Sequence, residues 1–222
     1  MPLAQLSDGE VIGYESLVRW VTDDGVVATP DTFLDVASRT GLITRIDERM
    51  VRLSIDLLTR LPEHHTVAVN IAAATLASGN LVHVVTTQLD AFGVDPTRLH
   101  LEVTETDLIN VTEGVHRTMR SLADLGIDWW VDDFGTGYSS IAHLRDLPIH
   151  GLKLDQSFTS GVSRADSYAT RLARGLAGLA RALDLRTVAE GVQSQEQASV
   201  LLEQGWEVGQ GWLYGAARPA EF

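Results

Sequence analysis

Two adjacent carboxylates, Asp132 and Asp133, open onto the glycine-rich run Phe134-Gly135-Thr136-Gly137-Tyr138-Ser139-Ser140, and Lys153 follows within Leu152-Lys153-Leu154-Asp155. Lys153 is the only lysine, and the other basic residues are all arginine. The apolar stretch Ile127, Trp129, Trp130, Val131 leads straight into the two aspartates. A strand ending in charge in this way is typical of the functional face of an α/β barrel. Paired carboxylates near an ammonium make divalent-metal and phosphate chemistry the first hypothesis.

The remaining charges fall at comparable places. Strand-like pieces are read at Val11–Trp20, Thr66–Ile71, Leu99–Thr104, Ile127–Val131, Gly151–Leu154, Arg186–Ala189 and Glu207–Leu213. They alternate with helix-like pieces at Pro30–Thr40, Arg45–Arg60, Leu81–Phe92, Val111–Leu125, Ser139–Arg145, Ser167–Leu183 and Ser194–Gln204. Such alternation predicts a parallel sheet with right-handed crossovers, and this many repeats in one domain favour closure into a barrel. Leu172, Leu176, Leu179 and Leu183 form the stripe expected to pack the clearest helix on that sheet.

Glu15 lies late in the first of these strands, Asn70 near the end of the second, and Glu102 and Glu105 close the third. Asp132 and Asp133 end the fourth, Lys153 and Asp155 the fifth, Glu190 the sixth, and Gln210 follows the last. A barrel gathers all carboxyl ends on one face, so these scattered residues should converge. Carboxylates with a neutral oxygen donor suit Mg²⁺ or Mn²⁺. No histidine sits where a zinc hydrolase would need one, which disfavours zinc. A glycosidase needs only two carboxyl groups and leaves Asn70 and Lys153 unexplained.

The bulk numbers agree with one soluble enzyme domain. The 222 residues suit a single barrel, and no apolar run is long enough to span a membrane. With no cysteine, a reducing cytoplasm is the natural setting. The net charge of −13 argues against a nucleic-acid polymer or an anionic membrane surface as partner. A phosphate ligand would need bound cations to reverse the sign locally.

Several motifs occur in order: Glu15-Ser16-Leu17-Val18-Arg19-Trp20, Thr40-Gly41-Leu42-Ile43, Val69-Asn70-Ile71, Leu101-Glu102-Val103-Thr104-Glu105, the run from Asp132 to Ser140, Leu152-Lys153-Leu154-Asp155, Ala189-Glu190-Gly191-Val192 and Gln210-Gly211. Together they resemble the EAL domain, the bacterial phosphodiesterase module for cyclic di-GMP. The resemblance covers nearly the whole chain and implies a single domain over 1–222, a modified TIM (β/α)8 barrel with an antiparallel first strand. It implies that Glu15, Asn70, Glu102 and Asp132 bind one cation, and that Asp132, Asp133 and Glu190 bind a second. Lys153, Glu190, Asp133 and Glu105 are implied for catalysis, and Arg19, Leu17, Asp155, Gln193 and Gln210 for substrate binding. Glu105 would steady the loop that carries Asp133 to Ser140. The implied reaction is two-metal, in-line attack of a metal-bound water on cyclic di-GMP, giving linear pGpG with Mg²⁺ or Mn²⁺. Ca²⁺ should bind without supporting turnover. A homodimer through the loop and helix after Asp132-Asp133, and an upstream sensory or GGDEF domain in a longer protein that could carry a membrane anchor, are implied in the same way.

Some positions depart from the family pattern. Ser16 replaces the alanine of the signature, Ala72 a serine, Ser38 an acid and Gln193 a glutamate. Met1-Pro2-Leu3 stands where the family writes a tyrosine-glutamine-proline strand start, which reads as a clipped N-terminus. Trp130 is bulkier than the residue expected and, by alternation, should crowd the barrel interior beside Asp132. The alternative these departures support is a degenerate EAL domain that acts as a cyclic di-GMP receptor or protein-interaction module without turnover.

Overall fold

A computed structural model describes residues 1–109, 111–135 and 146–220. Its centre is a closed barrel of eight strands: β1 Pro2–Gln5, β2 Val11–Ser16, β5 Thr66–Asn70, β6 Leu99–Thr104, β7 Asp128–Phe134, β8 Ile149–Leu154, β9 Arg186–Ala189 and β10 Val208–Gly209. A separate two-stranded ladder pairs β3 Trp20–Val21 with β4 Val27–Ala28. Going round the barrel the order is β1-β10-β9-β8-β7-β6-β5-β2. β1 runs antiparallel to both β10 and β2, and the other neighbouring strands pair in parallel. The expected barrel with one inverted strand is therefore present.

The first strand read from the sequence is corrected in two ways. β2 stops at Ser16, and Trp20 belongs to the outer ladder. The barrel's inverted strand is Pro2–Gln5, whose four residues are too short for a clear alternation signal. It is fixed by tertiary pairing, with Ala4 opposite Gly209 and Gln5 opposite Val208.

Helices cover the parallel strands, and their ends have local causes. Ser194 Oγ accepts from Gln197 N while Gln197 reaches back to the cap, a full capping box that starts Gln195–Gln204. Ser167 and Thr112 cap Tyr168–Ala182 and Glu113–Ala123 in the simpler way. Tyr168–Ala182 packs on the sheet as expected, but its innermost face is Ala173, Ala177 and Ala180. Small residues let the backbone come close, and Leu176 and Leu179 fill the flanks. The predicted helix Ser139–Arg145 lies outside the described residues.

Strand alternation separates two neighbouring tryptophans. Trp129 points outward and donates Nε1 to Met119 O at 2.9 Å under the helix Glu113–Ala123. Trp130 points into the barrel, where the expected crowding is relieved by Gly151 on β8, because a Cβ there would overlap the indole.

Candidate active site

The carboxyl ends of the barrel strands bring together five acids and one lysine. Lys153 is completely buried, and its Nζ lies 2.7 Å from Glu190 Oε1, 2.9 Å from Glu102 Oε2, 3.1 Å from Asp132 Oδ1 and 3.6 Å from Glu15 Oε1. Two overlapping groups of carboxylates could each hold a metal ion: Glu15, Glu102 and Asp132, and then Asp132, Asp133 and Glu190. In each, the oxygens lie within 4.8 Å of one another, and Asp132 is common to both.

Parallel register accounts for most of the convergence. Asn70 pairs with Glu102, and Thr104 with Asp132, so their side chains reach the same rim. Asp132 and Asp133 pose a separate problem, since consecutive strand residues should face opposite sides. The β7–β8 register shifts between Val131 and Phe134, and Asp133 has a left-handed φ of 54°. That irregularity turns both carboxylates towards one site, the usual service of a bulge at a barrel rim. The Asp133 amide donates to Asp132 Oδ1 at 3.0 Å, which holds the turned backbone.

A second set of contacts orients these acids. Asn70 Nδ2 donates to Glu15 Oε1 at 2.9 Å, and Gln210 Nε2 donates to Glu15 Oε2 at 2.5 Å. Glu105 Oε2 accepts from Gly135 N at 3.0 Å, and its own amide donates to Asp132 O, so it ties the end of β7 to the strand beside it. Asp155 caps the short helix Gln156–Thr159 through Ser157 N.

The other residues expected at the site lie farther out. Arg19 is exposed, and its Nη1 donates to Val18 O. Leu17 is half-buried on the same connection. Gln193 is exposed, and its amide donates to Gln197 Oε1 at the start of a helix, so it is not among the clustered acids. The glycine-rich run from Thr136 onward, where the dimer contact was expected, lies outside the described residues.

Asp47 was missed by the sequence reading. It is buried, and its Oδ2 accepts from Ala72 N at 2.9 Å and from Thr75 Oγ1 at 2.5 Å. It anchors the turn that follows Asn70. The available signal was an acid on the apolar stripe of Ile43–Leu58, in step with Val51, Ile55 and Leu58.

Electrostatics show an excess of negative charge. Burial pushes Glu102 well above the usual carboxylate range; Lys153 opposes this, while Glu15 and Asp132 add to it. Burial likewise pushes Glu190 up to about 7 against the pull of Lys153, with Asp132 and Glu15 adding to the rise. Asp133 is raised by burial and by its neighbours Asp132 and Asp155. Glu15 would rise on burial, but Lys153, Gln210 and Asn70 outweigh that and hold it low. Burial would lower Lys153, yet the charges of Glu102, Glu15, Glu190 and Asp132 keep it well above a normal lysine. Five carboxylates face one ammonium, a deficit of positive charge that a pair of divalent cations would balance. The donors are oxygen only, so the set fits hard cations such as Mg²⁺ or Mn²⁺.

Comparison with known proteins identifies the architecture. The family model described as the EAL domain matches residues 1–218. The chain is 36% identical over 222 residues to the cyclic di-GMP phosphodiesterase NbdA of Pseudomonas aeruginosa, covering 98% of this chain and 28% of that protein. It is 31% identical over 224 residues to the probable cyclic di-GMP phosphodiesterase PdeB of Escherichia coli, covering 99% of this chain and 42% of that protein. The chain thus spans less than half the length of these curated relatives. A solved structure of the PaMucR phosphodiesterase in complex with c-di-GMP superposes with a TM-score of 0.90 at 33% identity, covering 99% of this chain and 95% of the other.

Proposed function

The chain belongs to the EAL domain family, and from that premise we propose that it is a metal-dependent phosphodiesterase that opens one phosphodiester of cyclic di-GMP to give linear pGpG. The observation that carries the proposal is the seating of Lys153 between two carboxylate groups that share Asp132. Glu15, Asn70, Glu102 and Asp132 would hold one divalent cation, and Asp132, Asp133 and Glu190 a second. Bound there, Mg²⁺ or Mn²⁺ would supply a lowered water pKa and neutralise charge on the attacked phosphate. Ca²⁺ would bind the same oxygens in a looser shell without supporting turnover.

The chain's own residues supply the rest. Water adds to phosphorus as the ribose 3′-oxygen leaves, and negative charge builds on the phosphoryl oxygens. Lys153, fully charged at neutral pH and held by three carboxylates, faces that charge with a fixed ammonium. Gln210 and Asn70 fix the rotamer of Glu15. Glu105 holds Gly135 and with it the start of the glycine-rich run. Arg19 would pair with a substrate phosphate, and Leu17, Asp155, Gln193 and Gln210 would line the nucleotide. The same reading includes a homodimer through the segment after Asp133 and an upstream sensory or GGDEF domain.

The test is incubation with cyclic di-GMP and Mn²⁺ or Mg²⁺ followed by chromatography. The wild-type chain should release pGpG, and Lys153→Ala should cut turnover by about 10²–10³-fold, as expected for loss of a fixed transition-state charge. Tight cyclic di-GMP binding with no product over long incubation would instead establish a receptor.

A further inference from the structure

The seam between β7 and β8 is irregular at its amino-terminal end as well as at the acids. Trp129 stands opposite Ile149 and Trp130 opposite Gly151, so His150 is an extra residue on β8 with no counterpart on β7. A bulge of this kind disturbs the ladder around it. Here a side chain repairs it: the amide of the fully buried Trp129 donates to His150 Nδ1 at 3.1 Å.

That bond fixes the state of the ring. An imidazole nitrogen that accepts carries no proton, so His150 is neutral with its hydrogen on Nε2. Nε2 lies 3.7 Å from Oδ1 of Asp128, the first residue of β7. The same carboxylate takes the Arg186 guanidinium from β9 and has His100 Nε2 from β6 at 3.4 Å. Four adjacent strands thus meet at one carboxylate, and Asp128, Arg186 and His100 are the charged and titratable groups around His150 among the described residues. Burial pushes His100 down to about 4 against the pull of Asp128, so it stays neutral in mild acid. His150 differs in access, since its side chain is 38% exposed and solvent reaches it.

A protonated imidazole carries a hydrogen on both nitrogens, which would set the Nδ1–H against the Trp129 N–H. The amide then loses its acceptor, while the new charge is drawn to Asp128 and repelled by Arg186. Opening the seam removes this conflict between donors, so the open form takes the proton more readily, and opening must grow as pH falls.

We propose that the bulge is a pH-sensitive latch: neutral His150 closes the amino-terminal end of the β7–β8 seam by holding the Trp129 amide, and protonation of its ring releases that amide and opens the seam locally. The acid cluster lies at the other end of these strands, so the test needs neither cation nor substrate.

Native-state hydrogen exchange of the ¹⁵N-labelled chain reads the latch directly. Between about pH 7.5 and about pH 5.5 the protection factor of the Trp129 amide, corrected for the intrinsic pH dependence of exchange, should fall by about tenfold or more, the scale of one lost hydrogen bond. That of Val131, two residues along the same strand, should hold. In His150→Asn the side-chain carbonyl can still accept from the amide and does not titrate, so the pH dependence at Trp129 should vanish. Should that variant not fold, ¹⁵N spectra of the imidazole require no substitution: at about pH 7.5 Nδ1 should be the bare nitrogen and Nε2 the protonated one. A proton on Nδ1 at that pH, a constant Trp129 protection factor, a fall shared equally by Val131, or the same fall in His150→Asn would each overturn the inference.

Discussion

Asp47 sits on the buried face of the helix Ile43–Leu58, and desolvation raises its pKa to about 6 despite the bonds from Thr75 and Ala72. Because the folded value exceeds the unfolded one, the native state binds more protons between about pH 4 and 6, and stability must fall as pH rises through that window. Asp47→Asn keeps an acceptor for Ala72 and Thr75 without the charge. It should flatten this part of the pH profile and raise stability at pH 7.5 by on the order of 1–2 kcal/mol, measured by urea denaturation at several pH values. A profile unchanged by the substitution would place the titration elsewhere. Ser16, which replaces the alanine of the family signature, has a partner: its Oγ accepts from the buried Ser54 Oγ at 2.8 Å, on the side of β2 away from the acids. A double-mutant cycle with Ser16→Ala and Ser54→Ala should give a coupling of about 1 kcal/mol and leave cation binding untouched.

At the scale of elements, β7 and β8 depend on one another. Trp130 lies inside the barrel because residue 151 has no side chain, and a methyl group at that position would overlap the indole. Gly151→Ala should therefore destabilise the protein by about 1–3 kcal/mol, as overpacking does, and Trp130→Leu in the same chain should restore most of the loss, read as the melting temperatures of the two variants. Equal destabilisation with and without Trp130 would mean that backbone freedom, not space, is what Gly151 provides. This pair also shows what the sequence made legible. Alternation correctly put Trp130 and Asp132 on one face, but a period-two rule gives no hint of a glycine on the next strand that makes room for the ring. The acids at strand ends were readable because a barrel gathers those ends wherever they fall in the chain. The turning of Asp133 was not, since it rests on a register shift and a positive φ fixed by the neighbouring strand. Alternation gave no sign of β1 for a similar reason, and only the family resemblance pointed to a strand start there: its four residues are a strand only because β2 and β10 flank them.

For the molecule as a whole, a net charge of −13 is a cost to compactness, and part of it falls where five carboxylates gather beside one ammonium. Whatever relieves that crowding in the folded state alone must stabilise the fold, because the unfolded chain scatters these residues from Glu15 to Glu190 along the sequence. Mg²⁺ or Mn²⁺ at about 100 times its Kd should add about 2.7 kcal/mol and raise the melting temperature by several degrees, and a chelator should reverse the rise. Ca²⁺ should give a comparable rise while yielding no pGpG, which separates binding from chemistry in one pair of assays. Glu190→Gln removes one charge from the cluster and one donor from the second group. In chelator the variant should melt at or above the wild type, since like charges have been thinned. In Mn²⁺ it should melt below, since a ligand is gone. Curves that cross in this order tie the acid cluster to cation binding, whereas a variant that melts lower under both conditions would make Glu190 a plain structural partner of Lys153.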